Sequence, residues 1–255
     1  MSILKLENVT LSYGEKNIIE NFNLSVNAGE TVSIICPNAS GKSTILKSIA
    51  GILKPKTGAV YIGGTDISKL SAKSLAEKVA VLLQQNTGPE EITVEELVYF
   101  GRYPRKKWFE GYGQKDRAVT EKVMRLTNTF SIKDKVLDNL SGGERQRAWI
   151  AMCLAQEPSV ILFDEPTVYL DLAHQIEFFK LIADLKKETE AAIILVLHDL
   201  NQAAKYGNYL VAIKNGTVFA EGKPEAVLTR GNINAIYNID SEIIKTEDGF
   251  FVIPK

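Results

Sequence analysis

The chain has 255 residues, enough to bury one substantial core with or without an inserted lobe. Apolar residues make up 45% and charged residues 24%, as in ordinary soluble domains, and a formal net charge of −1 argues against a dedicated nucleic-acid binder. Two cysteines, Cys36 and Cys153, are too few for a disulfide framework or a cysteine metal site and fit a reducing cytoplasm. The longest apolar runs, Ala148 to Ala155 and Ala191 to Leu197, fall far short of the roughly 20 residues that a membrane span needs. The N-terminus opens directly into an alternating pattern with no signal peptide, so membrane association is expected to come through a partner.

In chain order, the first stretch predicts strands, with turns at Tyr13-Gly14-Glu15 and Asn27-Ala28-Gly29. Residues 31–35 predict a buried strand, followed by a loop and a helix from Lys42 to Ala50 that Gly51 closes. Further buried strands are expected at Val79–Leu83, Val160–Phe163 and Ile193–Leu197, alternating with helices as in a mostly parallel α/β sheet. Thr93 and Glu96 have capping-box spacing and open a helix to about Gly101. Residues 102–115, rich in aromatic, basic and Gly residues, predict an exposed loop, and helical patterns follow at 116–128 and 143–156. The simplest description is a core lobe, 1–85 and 159–255, with a helical lobe inserted at 86–158. Near the end, Asn215-Gly216 between two apolar runs predicts a hairpin.

Several segments carry chemistry. After the strand at 31–35 comes Cys36-Pro-Asn-Ala-Ser-Gly-Lys-Ser-Thr44, with Gly41-Lys42-Ser43 at a strand-to-helix junction. This reads as a phosphate loop in which backbone N–H groups cradle phosphate oxygens, Lys42 reaches the terminal phosphates and Ser43 holds Mg²⁺. Alone, it is also an ordinary Gly-containing helix start. Cys36 stands where the usual pattern has glycine. Ser141-Gly142-Gly143-Glu144 has capping-box spacing, and its adjacent glycines leave helix-start amides open to an anion. Asp164 and Glu165 end a buried strand, a pairing suited to orienting Mg²⁺ and polarising an attacking water, with Pro166 stopping the ladder. His198 and Gln84 each follow a buried strand. Taken singly, a structural histidine and a surface glutamine are the ordinary readings. Tyr13, beside a turn, offers a stacking ring.

Together these residues, with Leu140 and Arg145-Gln146-Arg147, resemble the ABC ATPase family along essentially the whole chain. The resemblance implies a P-loop NTPase core, mostly parallel with an N-terminal antiparallel part, and an inserted α-helical lobe. It implies ATP and Mg²⁺ as ligands, with Tyr13 stacking on adenine and Cys36–Thr44 as the Walker A loop, including Asn38, Ala39, Ser40, Gly41, Lys42, Ser43 and Thr44. Gln84 then corresponds to the Q-loop, Ser141–Glu144 to the signature, Asp164 and Glu165 to Walker B, Asp171 to the D-loop and His198 to the switch histidine. Related families place a glycine where Ala39 stands. If Ala39 must be left-handed, a strain of about 1–2 kcal/mol weakens nucleotide binding roughly tenfold.

The resemblance also implies a head-to-tail homodimer with ATP between Walker A of one chain and the signature of the other. The dimer would sit on transmembrane permease subunits at the inner face of the membrane, would serve a solute-binding protein indirectly, and would bind no nucleic acid. Glu91–Pro104, Tyr169–Gln175 and His198–Ala204 resemble importers of ferric siderophores, haem and cobalamin, with iron–siderophore preferred. Rival readings are a non-transport ATPase of cluster assembly and a degenerate regulatory subunit, the latter motivated by Cys36 and Ala39. A thiol at a helix start beside Lys42 also raises the expectation of a lowered Cys36 pKa and sensitivity to oxidation.

Overall fold

The computed structural model describes residues 2–37, 40–84, 86–89, 91–106, 111–168, 170–246 and 249–255. In chain order the elements are β1 (Ser2–Tyr13), β2 (Lys16–Asn27), β3 (Thr31–Ile35), α1 (Lys42–Ile49), β4 (Thr57–Ile62), β5 (Thr65–Asp66), α2 (Ala72–Ala76) and β6 (Val79–Leu82). Then come α3 (Val94–Phe100), α4 (Gln114–Leu126), α5 (Gly142–Ala155), β7 (Val160–Asp164), α6 (Leu172–Glu188) and β8 (Ala192–Val196). The chain ends with α7 (Leu200–Tyr206), β9 (Tyr209–Lys214), β10 (Thr217–Gly222), α8 (Pro224–Val227), α9 (Arg230–Tyr237), β11 (Ser241–Thr246) and β12 (Gly249–Pro254). Among the described residues no helix is long and apolar enough to cross a membrane.

The central sheet has the order β10-β9-β3-β8-β7-β6. Its strands β9, β3, β8, β7 and β6 run parallel, and β10 pairs antiparallel with β9. Every residue of β3, β7 and β8 is buried, which explains why these segments are unbroken apolar runs rather than alternating ones. A second, antiparallel sheet of order β2-β1-β4-β5 covers one side. Its side chains join those of α1 and one face of the parallel sheet in a single apolar cluster that includes Leu6, Phe22, Ile45, Leu162 and Ile194. The opposite sheet face is continuous with the helices: Val98, Ile150, Phe179 and Ile193 share one cluster. The Asn-Gly turn forms as expected, with Asn215 at φ 50° and Gly216 at φ 78° joining β9 to β10.

Cys36 belongs to the first cluster and is 1% exposed, so the expectation of a lowered thiol pKa is wrong. Burial pushes the Cys36 thiol up to about 11, outweighing the pull of nearby Lys42 and Ser40. Without a thiolate the side chain is a small apolar filler, not a redox sensor.

The segment expected to be an exposed loop, 102–115, is one in part: Tyr103, Arg105, Gly111 and 113–115 are exposed. Within it, however, Arg102 and Pro104 are buried, Tyr103–Arg105 forms a 3₁₀ turn and α4 begins at Gln114, while residues 107–110 lie outside the described set. Arg102 is only 2% exposed, and its guanidinium finds three partners. Nε donates to Asp116 Oδ1 at 2.9 Å, and Nη1 donates to the Ala155 carbonyl and to Glu157 Oε2, each at 2.7 Å. It therefore ties the start of α4 to the last carbonyls of α5. A side chain on Gly101 would collide with the Met152 carbonyl, so α3 and α5 approach closely only because that residue is glycine. Arg105 adds bonds to the carbonyls of Gln156 and Glu157 at 2.7 and 2.8 Å. Arg102 is an internal strut and Arg105 a surface one, roles that composition alone does not distinguish from free surface charge.

Replacing Arg102 with Ala strands Asp116 and a helix-end carbonyl. Because Asp116 and Glu157 retain some solvent, the expected loss is about 2–4 kcal/mol. Calorimetry of Arg102→Ala is expected to show a thermal midpoint roughly 5–10 °C lower, and a change within error of zero would refute the strut.

Candidate functional site

The parallel register brings three strand ends to one edge. Asp164, the last residue of β7, lies opposite Val196, the last of β8, and the Leu197 amide donates to Ile34 of β3 at 3.2 Å. The segments leaving β3, β7 and β8 must therefore converge there. Those segments are the Cys36–Thr44 loop, the turn at Glu165 and the stretch that carries His198.

Gly41 caps α1 with φ 97°, and a side chain on it would approach Ile19 Cδ1 to 2.6 Å. Glycine is thus required both by conformation and by space. The same β1–β2 hairpin that presses on the loop through Ile19 carries Tyr13, half-exposed at its tip. Ser40 and Ser43 are half-buried and Thr44 is buried, while Asn38 and Ala39 lie outside the described residues, as does the question of strain at Ala39.

Lys42 starts α1 and is 6% exposed. Its Nζ donates to the Cys36 carbonyl at 3.2 Å, lies 3.3 Å from His198 Nδ1 and 3.5 Å from Glu165 Oε1. His198 Nε2 in turn lies 2.5 Å from the same Glu165 oxygen. An ammonium only donates, so Nδ1 accepts and the ring proton sits on Nε2, pointing at Glu165. The three side chains form a closed triangle with a defined tautomer.

Glu165 reaches that triangle through an unusual backbone. Its φ is 50°, in the left-handed region, and its amide donates to the Val196 carbonyl at 3.1 Å. A non-glycine residue in that region is held at a cost of about 1–2 kcal/mol. The turn redirects the chain after Asp164 and aims the carboxylate at Lys42. The sequence pattern contains no signal for this conformation.

Asp164 is 6% exposed, and its Oδ1 is buried without a hydrogen-bond partner. Burial raises its carboxyl pKa above the usual range, against the lowering effect of the Ser43 hydroxyl bonded to it. An orphaned carboxylate oxygen next to a serine hydroxyl is a hard-oxygen donor set of the kind Mg²⁺ prefers. The residues present therefore fit that ion.

Gln84 is exposed just beyond β6, whose Leu82 pairs with Phe163, so it emerges beside the Asp164–Glu165 strand end. Ser141–Glu144 lies elsewhere, at the start of α5. Its capping box is complete, with the Ser141 amide and hydroxyl both donating to Glu144 Oε2 at 2.9 Å. These bonds hold the Glu144 carboxyl below its usual range. Gly142 faces open space. Asp171 caps α6 and accepts from the His174 amide at 2.9 Å. Within one chain, then, Lys42, Ser43, Asp164, Glu165 and His198 meet, whereas Ser141–Glu144 and Asp171 form a second patch.

Sequence reasoning missed a set of glutamines that fix the backbone after Glu165. Gln146 of α5 donates to the Pro166 carbonyl. Gln175 of α6 donates to the Thr167 and Leu170 carbonyls at 3.2 and 3.0 Å, and Gln202 of α7 donates to Gln175 at 2.7 Å. Gln175 and Gln202 both fall inside stretches singled out for their resemblance to importers, which was the available signal.

A family model described as ABC transporter matches residues 19–168. The iron(3+)-hydroxamate import ATP-binding protein of Bacillus subtilis is 41% identical over 244 residues, covering 96% of this chain and 91% of that protein. A structure described as an inward-facing metal-chelate type ABC transporter superposes with a TM-score of 0.86 at 25% identity, over 100% of this chain and 97% of the other. An ATP-binding cassette solved as a dimer in a post-hydrolysis state with ADP and phosphate matches with a TM-score of 0.74 at 32% identity, over 87% and 98%. The chain belongs to the ABC transporter family and is an ATP-binding and ATP-hydrolysing subunit of that family.

Proposed function

We propose that this chain powers an importer of ferric siderophores or a related metal chelate, acting as a head-to-tail dimer on a permease. The observation that carries the catalytic part is the convergence of Lys42, Glu165 and His198 within 2.5–3.5 Å of one another at the ends of three buried strands. The solute class rests on the iron(3+)-hydroxamate import relative and the metal-chelate transporter neighbour.

In this reading, residues 40–44 and the α1 amides bind the phosphates, with Lys42 on the terminal one and Tyr13 against the adenine. Glu165 orients and polarises the attacking water, and His198 donates Nε2–H to the terminal phosphate. Ser43 and Asp164, with Gln84, would hold Mg²⁺, which neutralises charge developing on the phosphates. The partner's Ser141–Glu144 helix start closes over the same nucleotide, so hydrolysis requires the phosphate-loop patch of one chain and the signature patch of the other. The convergence of Lys42, Glu165 and His198 supports this reading over a regulatory subunit lacking turnover.

Residues 1–85 with 159–255 serve as the nucleotide lobe and 86–158 as the lobe that meets the permease. A cleft of about 150 Å³ lined by Asn86, Thr87, Pro89, Asp138, Arg145 and Trp149 adjoins Gln84 and offers the docking groove. The two lobes share one apolar cluster, so a shift at the nucleotide reaches that groove.

Asp164 should trade stability for function. Its raised pKa means that ionisation costs stability. That cost is complete above the folded pKa and disappears as pH falls below the ordinary carboxylate range. Asp164→Asn is expected to raise the thermal midpoint of the nucleotide-free protein by a few degrees at neutral pH, with the gain vanishing near pH 3, while Mg²⁺-dependent hydrolysis falls at least roughly tenfold. A lowered midpoint at neutral pH would contradict this assignment. For the importer role, cells whose only copy is Lys42→Ala should lose uptake of radiolabelled iron from ferric siderophores, and restoration should require the wild-type chain. Unchanged uptake of ferric siderophores and of other iron chelates would remove the proposed cargo class.

A further inference from the structure

The two signature glycines stand in different surroundings. Gly142 has nothing within 4 Å of where a side chain would be, whereas Gly143 is buried, and a side chain there would run into the ring of His174. The built position lies 2.6 Å from His174 Nε2. That ring comes from the first turn of α6, where its Nδ1 lies 2.9 Å from Asp171 Oδ1 and its own amide donates to the same oxygen at 2.9 Å. The imidazole thus fills the gap between the signature helix start and the D-loop aspartate, held at one edge and packed at the other.

Neighbouring contacts make this a rigid joint. Arg147 of α5 bonds Glu177 of α6 at 2.7 Å, one turn along each helix. Gln175, next to His174, holds two carbonyls of the segment between Glu165 and Asp171. None of these groups touches Lys42, Glu165 or His198, so they act on the chemistry only by placing other residues.

We propose that His174 is a positioning residue for hydrolysis, locking Gly143 and Asp171 of one chain into a single surface that closes on the nucleotide bound by the other chain. The proposal rests on the head-to-tail dimer of the proposed function. Removing the ring leaves the capping box of Ser141 and Glu144 intact but frees the α5 start to move relative to Asp171. The partner's nucleotide then meets misplaced amides.

This predicts an effect in trans, which a loss of general stability does not produce. His174→Ala should fold with a near-normal thermal midpoint yet lose roughly ten- to a hundredfold in kcat/KM for ATP. Mixing it in equal amounts with Lys42→Ala creates mixed dimers in which one site pairs an intact phosphate loop with an intact signature. The mixture is expected to recover about a quarter of the wild-type rate, above the mean of its parents. A parallel mixture of Lys42→Ala with Ser141→Arg calibrates the exchange.

Recovery in both mixtures supports the proposal. Recovery only with Ser141→Arg overturns it, because His174 would then act on its own chain's phosphate site. Recovery in neither removes the head-to-tail arrangement itself, and the proposal with it. Wild-type turnover by His174→Ala alone would also overturn it.

Discussion

An ammonium group that is 6% exposed needs partners, and the structure is organised around supplying them to Lys42. Water cannot solvate it, so a carbonyl from Cys36, a ring nitrogen of His198 and the carboxylate of Glu165 do so instead. Each partner arrives from the end of a different buried strand, and the strands reach that point together because their parallel register leaves no slack. The same arrangement orders the chemistry. The ammonium, the carboxylate and the imidazole on which the proposed hydrolysis depends already face one another.

This geometry depends on two local departures from regular structure. Gly41 turns the chain into α1 with a positive φ that β2 would not allow for any larger residue. Glu165 adopts a left-handed turn that a carboxylate residue occupies only when its surroundings enforce it. The enforcement is visible in the amide bond to Val196 and in the glutamine side chains that pin the following carbonyls. Strain at Glu165 is thus balanced by side-chain amides drawn from α5, α6 and α7. Those helices also carry, or directly follow, the signature, Asp171 and His198.

The apolar runs of β3, β7 and β8 announced a buried parallel sheet, and the order of Lys42, Ser141, Asp164 and His198 along the chain pointed to the proposed site. Both are local or periodic properties, which a sequence displays directly. The burial of Arg102 inside the expected loop went unread because its charge says nothing about whether partners exist inside the fold. Only the arrival of Asp116, Ala155 and Glu157 makes its burial tolerable. Cys36 was misread for the complementary reason. Proximity to Lys42 in sequence suggested a lowered pKa, but desolvation in the sheet core dominates. The C-terminal hairpin β11–β12, docked through Asn201 onto the Val252 backbone, went unread although the sequence carries Asp248-Gly249, a hairpin dipeptide, between two apolar runs.

The Lys42–Glu165–His198 triangle is the proposed hydrolytic centre. The direct measurement is Mg²⁺-dependent ATP hydrolysis by the purified chain beside Lys42→Ala and Glu165→Gln. The expected result is steady turnover that both substitutions reduce to background, with Glu165→Gln still binding ATP. Turnover that survives Glu165→Gln, or a wild-type chain that stays at background even with its membrane partner supplied, would contradict it.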